Sequence, residues 1–152
     1  MLSTRSRQDH EDAQLIYVFV QHLGRRLREI DAQAGLTAAR FSALASLRFH
    51  GSKNVGELAL DEQVKPPSMT RLVRDMRRDG LVSVLPDPND GRGVLVRMTP
   101  RATRLFDAVR AEKINLVADY LAGLPADVRD AIRHAFGALE ALGEPGDPEP
   151  GK

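Results

Sequence analysis

Basic and hydroxyl side chains are concentrated in one segment of the chain, Lys65–Gly80 (KPPSMTRLVRDMRRDG). It holds five basic and two acidic residues, a charge of +3, on a chain whose net charge is +1. Arginine can donate two hydrogen bonds to guanine O6 and N7, and serine or threonine near a helix start suits phosphate contacts. The segment therefore predicts a DNA-contacting surface, although a basic helix face that is only solvated has the same composition.

The same segment has the pattern of an amphipathic helix. Pro66 and Pro67 fit the first turn, where a missing N–H costs nothing. Gly80 fits the left-handed position after the last turn, and Leu81 can close a Schellman-type cap. Four apolar residues at i, i+3, i+4 and i+7 predict the buried face: Met69, Leu72, Val73 and Met76. Such a helix is about 20 Å long, which suits a DNA major groove about 12 Å wide.

The charge distribution of the whole chain agrees with an embedded nucleic-acid-binding module. Residues 36–104 carry 12 basic and 7 acidic side chains, whereas residues 105–152 carry 5 and 9. The 152 residues include no cysteine, which excludes disulfides and thiol chemistry. The polar first residues do not resemble a signal peptide, and no apolar run approaches the roughly 20 residues of a membrane span. We expect a cytoplasmic protein without membrane contact.

The sequence predicts neither an enzyme nor a cofactor or metal site. There is no glycine-rich phosphate loop and no nucleophile elbow. Asp87 and Asp90 lie three residues apart in a predicted turn, which fits hairpin chemistry better than acid–base catalysis. No pair of the four histidines has the i, i+4 spacing of metal ligands: His10, His22, His50 and His134.

Three predicted helices precede the basic one. The first spans about residues 9–34 and ends at Gly35; at this length its apolar stripe exceeds what a small core requires and predicts contact with a second chain. Thr37 caps the second, which runs to about Phe49, and Asn54 caps a short third helix, 55–62. The third helix and the basic one, joined by a tight link, form a helix-turn-helix pattern.

After Gly80 the hydrophobic period changes to 2 and predicts a β-hairpin, the wing of a winged helix. Its strands are 81–85 and 93–98, with turn-forming residues 86–92 between them. Thr99 and Pro100 then open a helix to about residue 122, with an apolar stripe of Leu105, Val109, Leu116 and Tyr120. A last helix runs from Pro125 to Gly143, and the Pro/Gly-rich acidic tail is expected to be disordered.

Four segments, in this order and spacing, resemble the MarR family of bacterial regulators: LTAARFSALASL, VGELAL, KPPSMTRLVRDMRRDGLV and PDPNDGRGVLVRMT. The resemblance implies a mainly α fold with a small β-hairpin (α+β), a winged helix-turn-helix with long N- and C-terminal dimerisation helices. The implied domains are an N-terminal dimerisation helix (1–35), a DNA-binding lobe (36–100), C-terminal dimerisation helices (101–143) and a disordered tail (144–152). The chain departs from the family at Ser83 and Val84, where arginine is common, at Gly91 beside Arg92, where arginines are often paired, and at Ala102, where glycine is common.

The candidate DNA-binding residues lie on the basic helix and in the wing: Lys65, Pro67, Ser68, Thr70, Arg71, Arg74, Arg77, Arg78, Asn89, Asp90 and Arg92. Arg92 at the wing tip is expected to enter the minor groove, held by Asp90 or Asp87; a hairpin-stabilising salt bridge is the alternative. For Arg77 and Arg78 the alternative is cation placement at a helix C-terminus.

The resemblance also implies an effector crevice between the dimer helices and the DNA-binding lobe. Its candidate lining is Phe19, His22, Arg26, Phe41 and Arg48. The alternative is that the two phenylalanines belong to the core and the others to the surface.

The resulting hypothesis is a homodimeric transcriptional regulator that binds double-stranded DNA at a pseudo-palindromic operator. The expected mode is repression of nearby genes, relieved by a small phenolic or drug-like effector. Two alternatives stay open: a winged-helix protein-interaction module without DNA binding, favoured by the reduced wing charge, and a MarR-type activator.

Overall fold

A computed structural model describes residues 7–88 and 93–142, the side chains of residues 139–142 excepted. Six helices and two strands follow one another along the chain: α1 (Arg7–Gln33), α2 (Ala38–His50), α3 (Val55–Asp61), α4 (Pro66–Arg78), β1 (Val82–Pro86), β2 (Val94–Met98), α5 (Pro100–Ala122) and α6 (Ala126–Leu142). The predicted mainly α fold with one β-hairpin is confirmed. The predicted tail and the wing tip, including Asn89, Asp90 and Arg92, lie outside the described residues. The chain divides into two compact units, and the boundary between them in the sequence falls after Lys113, within α5.

The basic helix α4 forms for the reasons that the sequence gives. Two prolines occupy its first turn, and Met69, Val73 and Met76 are buried. Gly80 has a φ of 69°, and its N–H donates to the Arg77 carbonyl at 3.0 Å. The Leu81 N–H donates to the Met76 carbonyl at 2.9 Å, which completes the predicted Schellman cap.

The helices before α4 also begin at the predicted caps. The Arg40 N–H donates to Thr37 Oγ1 at 3.2 Å at the start of α2. Asn54 and Glu57 form a capping box at the start of α3, where each side chain accepts a hydrogen bond from the backbone N–H of the other. α3 and α4 are joined by 62–65, in which Gln63 adopts a φ of 52°. The predicted helix-turn-helix is thus formed by α3 and α4.

The hairpin is antiparallel, with Ser83 opposite Arg97 and Val84 opposite Val96. Val82 and Val96 are buried on one face. Lys53, in the loop before α3, forms an isolated bridge to Val96, with N···O distances of 3.2 and 2.7 Å. The middle of β2 is therefore hydrogen-bonded to the loop that precedes the helix-turn-helix.

The start of α5 packs into the first unit along a stripe that differs from the predicted one. Phe106 is 1% exposed, stacks on Phe41 with ring centroids 4.8 Å apart, and meets Phe49 edge-on at 6.0 Å. Of the predicted stripe, Val109 is buried and Tyr120 is 48% exposed. The buried residues of α5 are Ala102, Phe106 and Val109, whereas Leu105 of the predicted stripe is half-buried.

Two helices expose large apolar side chains. α1 buries only Ile30 and Asp31 among its residues, while its middle exposes a run from Leu15 to Val20. In the second unit, Phe136 of α6 is 60% exposed. The exposed run in α1 belongs to the helix for which the sequence predicts contact with a second chain. Within residues 7–88 and 93–142, none of the helices combines the length and apolarity that crossing a bilayer requires.

Candidate nucleic-acid interface

The exposed face of α4 collects the predicted DNA-binding side chains of the helix. Met69, Val73 and Met76 anchor the opposite face in the core. Because residues three, four and seven apart share a helix face, that anchoring turns one polar surface outward. Every predicted α4 residue is exposed there, together with the cap residue before the helix: Lys65, Pro67, Ser68, Thr70, Arg71, Arg74, Arg77 and Arg78. We call this surface the basic face.

The arginines of the basic face differ in their partners. Arg78 Nε lies 3.2 Å from Asp79 Oδ1, and its Nη1 lies 3.6 Å from Asp75 Oδ1. Arg71, Arg74 and Arg77 form no ion pair with any described residue. Three guanidinium groups are thus available to a ligand, whereas Arg78 is partly neutralised at the helix end.

Thr70 has a hydrogen bond that changes how it could contact DNA. Its Oγ1 donates to the Pro66 carbonyl at 2.9 Å, one turn earlier in the helix. In this arrangement the hydroxyl proton is used, and only the lone pairs of the oxygen face outward. Thr70 therefore offers an acceptor, which suits an amino group of adenine or cytosine better than a phosphate oxygen.

The C-terminal end of α4 is held by residues from other elements, whose role here was not predictable from the local sequence pattern. Arg40 Nη2 of α2 lies 2.7 Å from Asp79 Oδ2. This guanidinium, and after it that of Arg78, holds the pKa of the Asp79 carboxyl below its usual range. Arg101 Nη1 donates to the Asp79 carbonyl at 2.9 Å, and Thr99 Oγ1 donates to the Gly80 carbonyl at 2.8 Å. α2 and the start of α5 thereby fix the helix end.

A second cluster connects α2, α3 and the loop that bonds to the wing. The Asp61 carboxylate accepts a hydrogen bond from Ser46 Oγ at 2.5 Å and another from Lys53 Nζ. The Lys53 hydrogen bond, followed by that of Ser46, lowers the pKa of Asp61. Since the Lys53 backbone also pairs with β2, one carboxylate joins three parts of the lobe.

The five predicted effector-site residues lie in different surroundings. Phe19 and His22 are exposed on α1, and Arg26 pairs with Glu29 at 3.4 Å on the same helix. Phe41 is half-buried against Phe106, with Lys113 Nζ 3.3 Å from its ring centroid. Arg48 Nε lies 3.2 Å from Asp107 Oδ1.

The effector role of these residues stays a prediction.

Among the described residues, no group of three or more histidine or acidic side chains could hold a metal ion.

A helix-turn-helix with a basic second helix, followed by a β-hairpin, defines a winged helix-turn-helix transcriptional regulator. Comparison of the chain with known proteins identifies its family. Residues 36–94 match the model of the MarR family. The HTH-type transcriptional regulator MT0903.1 of Mycobacterium tuberculosis is 36% identical over 123 residues, which are 81% of this chain and 86% of that protein.

Two further similarities span most of the chain. The transcriptional repressor MdtR of Bacillus subtilis is 27% identical over 134 residues, 88% of this chain and 86% of that protein. The crystal structure of apo MarR from Escherichia coli superimposes with a TM-score of 0.70 at 27% identity, covering 84% of this chain and 95% of that one. The chain belongs to the MarR family, whose members are transcriptional regulators rather than enzymes.

Proposed function

We propose that the chain acts in the cytoplasm as a homodimeric repressor that binds double-stranded DNA at a pseudo-palindromic operator. α4 would lie in the major groove and the wing in the adjacent minor groove. The observation that carries the proposal is the basic face, where Arg71, Arg74 and Arg77 have no acidic partner among the described residues. An unpaired guanidinium on the second helix of a helix-turn-helix can reach a base edge or a phosphate without first breaking an ion pair.

The roles of the individual side chains follow from their positions on α4. Arg71 and Arg74 lie at the centre of the basic face, three residues apart, and are assigned to guanine contacts. Lys65, Ser68 and Arg77 flank them and are assigned to phosphates, which position the helix without reading sequence. Asn89, Asp90 and Arg92 of the wing complete the proposed contact set, with Arg92 in the minor groove.

We propose a dimer because a single chain exposes apolar surface to water. Leu15 of α1 is 72% exposed and Phe19 is 56% exposed, in a run of six exposed apolar residues. A contiguous apolar patch of this kind marks an interaction surface in soluble proteins. The proposed domains are accordingly a dimerisation helix (1–35), a DNA-binding lobe (36–100) and further dimerisation helices (101–143). A symmetric pair would present two copies of α4 to half-sites about 34 Å apart.

The proposed control is a population shift. The dimer would exchange between a form whose α4 helices match the half-site spacing and a form whose α4 helices do not. A small phenolic or drug-like effector that binds the second form more tightly would lower operator affinity, by at most the ratio of its affinities for the two forms. The candidate residues for such a site are Phe19, His22, Arg26, Phe41 and Arg48.

Fluorescence anisotropy with the DNA upstream of the gene, at two or more salt concentrations, tests DNA binding. Arg71→Ala and Arg74→Ala are each expected to cost about 1–3 kcal/mol of specific binding. For a phosphate contact such as Arg77, the alanine variant should lower the magnitude of the salt slope by about 1. Arg133→Ala is the matched control, since Arg133 is an exposed arginine of α6 paired with Asp130 at 2.7 Å. Its affinity should equal that of the wild type.

Two outcomes would contradict the proposal. A protein that fails to bind its upstream DNA even at low salt would favour the protein-interaction alternative. Sedimentation equilibrium should give twice the 16.7 kDa of one chain, and a single-chain mass at micromolar concentration would exclude the symmetric two-site mode. Footprinting with and without candidate effectors would report half-sites, spacing and release together.

A further inference from the structure

Asp61, the last residue of α3, receives two hydrogen-bond donors on a single oxygen atom. Its Oδ2 accepts from Ser46 Oγ of α2 at 2.5 Å and from Lys53 Nζ. The side chain of Lys53 is 17% exposed and that of Asp61 is 34% exposed, so water reaches the pair only in part. A charge-assisted hydrogen bond that is partly shielded from water stabilises more than an exposed surface pair. The contact therefore holds the Lys53 side chain at the end of α3.

The backbone of the same lysine is bonded to the wing. The Lys53 N–H donates to the Val96 carbonyl at 3.2 Å, and the Val96 N–H donates to the Lys53 carbonyl at 2.7 Å. Val96 lies in the middle of β2, opposite Val84, and is fully buried. In the part of the chain that the structure describes, no other backbone hydrogen bond joins a wing strand to a residue outside the hairpin.

The loop between α2 and α3 has freedom that this lysine restricts. It begins at Gly51, whose φ is 83°, a region open to glycine and rarely adopted by other residues. It ends at Asn54, which the capping box fixes to α3. Between them, Lys53 is held through its backbone by β2 and through its side chain by α3. One residue thus connects the wing to the first helix of the helix-turn-helix.

We propose that Asp61 is a positioning residue of the wing, an inference that rests on the proposed function. Through Lys53 it holds β2 against the helix-turn-helix, so that the wing and the basic face engage the same stretch of DNA. Asp61 itself touches no DNA in this assignment, and its negative charge alone would oppose binding. The positioning effect and the charge effect therefore have opposite signs.

Fluorescence anisotropy with two duplexes separates these effects. The long duplex holds the half-sites and the flanking base pairs that footprinting assigns to the wings, and the short duplex ends before those flanks. Asp61→Asn keeps the shape of the side chain but removes the charge that binds Lys53. It should weaken binding to the long duplex about five- to tenfold and leave binding to the short one within about twofold of the wild type. A charge effect alone would tighten binding to both duplexes.

Two further variants sharpen the assignment. Lys53→Met retains the backbone bridge and an apolar stem, and it should lose as much affinity for the long duplex as Asp61→Asn. The double variant should lose no more than either single variant, because both changes break the same contact. Val109→Ala is the matched control for general destabilisation, since Val109 is buried in α5 outside this cluster. It should lower thermal stability and change the affinities for the two duplexes, if at all, by the same factor.

Amide hydrogen exchange tests the structural part of the inference without DNA. In Asp61→Asn, the N–H groups of Lys53 and Val96 should exchange about tenfold faster than in the wild type, because the loop that carries their partners opens more often. The Leu81 N–H, which donates to the Met76 carbonyl at 2.9 Å at the end of α4, should keep its rate.

Three results would overturn the inference. These are tighter binding of Asp61→Asn to the long duplex, an equal loss on both duplexes, and unchanged exchange at Lys53 and Val96. If Lys53→Met lowers the magnitude of the salt slope by about 1 while Asp61→Asn tightens binding, Lys53 is a phosphate contact and the assignment is wrong. A protein that binds neither duplex would refute the proposed function, whereas the exchange rates would still decide whether Asp61 holds the wing.

Discussion

A buried ion pair in the first unit allows a prediction whose size follows from its geometry. Asp31, near the end of α1, has a side chain only 4% exposed, and Lys113 of α5 is 15% exposed. Lys113 Nζ lies 2.6 Å from Asp31 Oδ1 and 3.3 Å from the centroid of the Phe41 ring. The Oδ1 atom has no partner with hydrogen-bond geometry, so its charge is compensated by the proximity of the ammonium group.

Replacing Lys113 by methionine should destabilise the fold strongly. The substitution retains an unbranched apolar stem but leaves the Asp31 carboxylate buried without a counter-charge, next to the partial negative charge of a helix C-terminus. Breaking a buried pair in this way costs about 3–5 kcal/mol. At about 2–4 °C per kcal/mol for a chain of this size, the melting temperature should fall by about 6–20 °C.

The double variant Asp31→Asn, Lys113→Met should recover part of this loss, because it removes the stranded charge. Asp31→Asn alone should cost about 1–3 kcal/mol, since Lys113 keeps its contact with the Phe41 ring and some access to water. Urea unfolding of the four proteins at pH 7 gives the coupling free energy of the double-mutant cycle. Arg133→Met, which breaks the exposed Arg133–Asp130 pair, is the matched control and should cost at most about 1 kcal/mol.

The reasoning would be refuted by a Lys113→Met variant within 1 kcal/mol or so of the wild type. A double variant as unstable as Lys113→Met would also refute it, because the cost would then come from lost packing rather than from an uncompensated carboxylate.

Two further predictions concern the end of α4. Gly80→Ala should lower the free energy of unfolding in urea by about 1–2 kcal/mol, because φ is 69° at this position. Gly137→Ala is the control: it lies in a helix with open space around the Cβ position and should be neutral or stabilising. Equal effects of the two substitutions would contradict the requirement for a left-handed residue at Gly80. Asp79→Asn should lower stability at pH 7, because Arg40 holds the pKa of Asp79 below its ordinary value. A depressed carboxyl pKa contributes stability above about pH 4 that is lost on acidification, so the difference from the wild type should shrink between pH 5 and about pH 2, and a constant difference would contradict it.

Local patterns in the sequence were sufficient for most of the fold. The proline pair, the apolar stripe from Met69 to Met76 and Gly80 each act within one or two helical turns, so the sequence alone determined where α4 begins, which face it buries and how it ends. The hairpin and the caps at Thr37 and Asn54 were predictable for the same reason.

The predictions from sequence were wrong or incomplete where tertiary packing decides between residues that the local pattern treats as equivalent. Leu105 and Phe106 are adjacent and apolar, and either could lie on the core face of α5 as far as periodicity is concerned. The stacking of Phe106 on Phe41, 65 positions earlier in the chain, decides between them. Which of two adjacent apolar residues lies in the core is therefore decided by a partner that a local pattern does not contain.

The candidate sites divide in the same way. The sequence by itself determined that a helix with four arginines would expose them on one face, because helical periodicity fixes that face. Tertiary structure decided which of them stay unpaired, through Asp75 and Asp79 beside Arg78, and it gave Asp79 a second partner in Arg40. It also brought Arg97 of β2 and Arg104 of α5 to the border of the same surface pocket. Charge pairing acts through space over a few ångströms, and only the folded chain sets those distances.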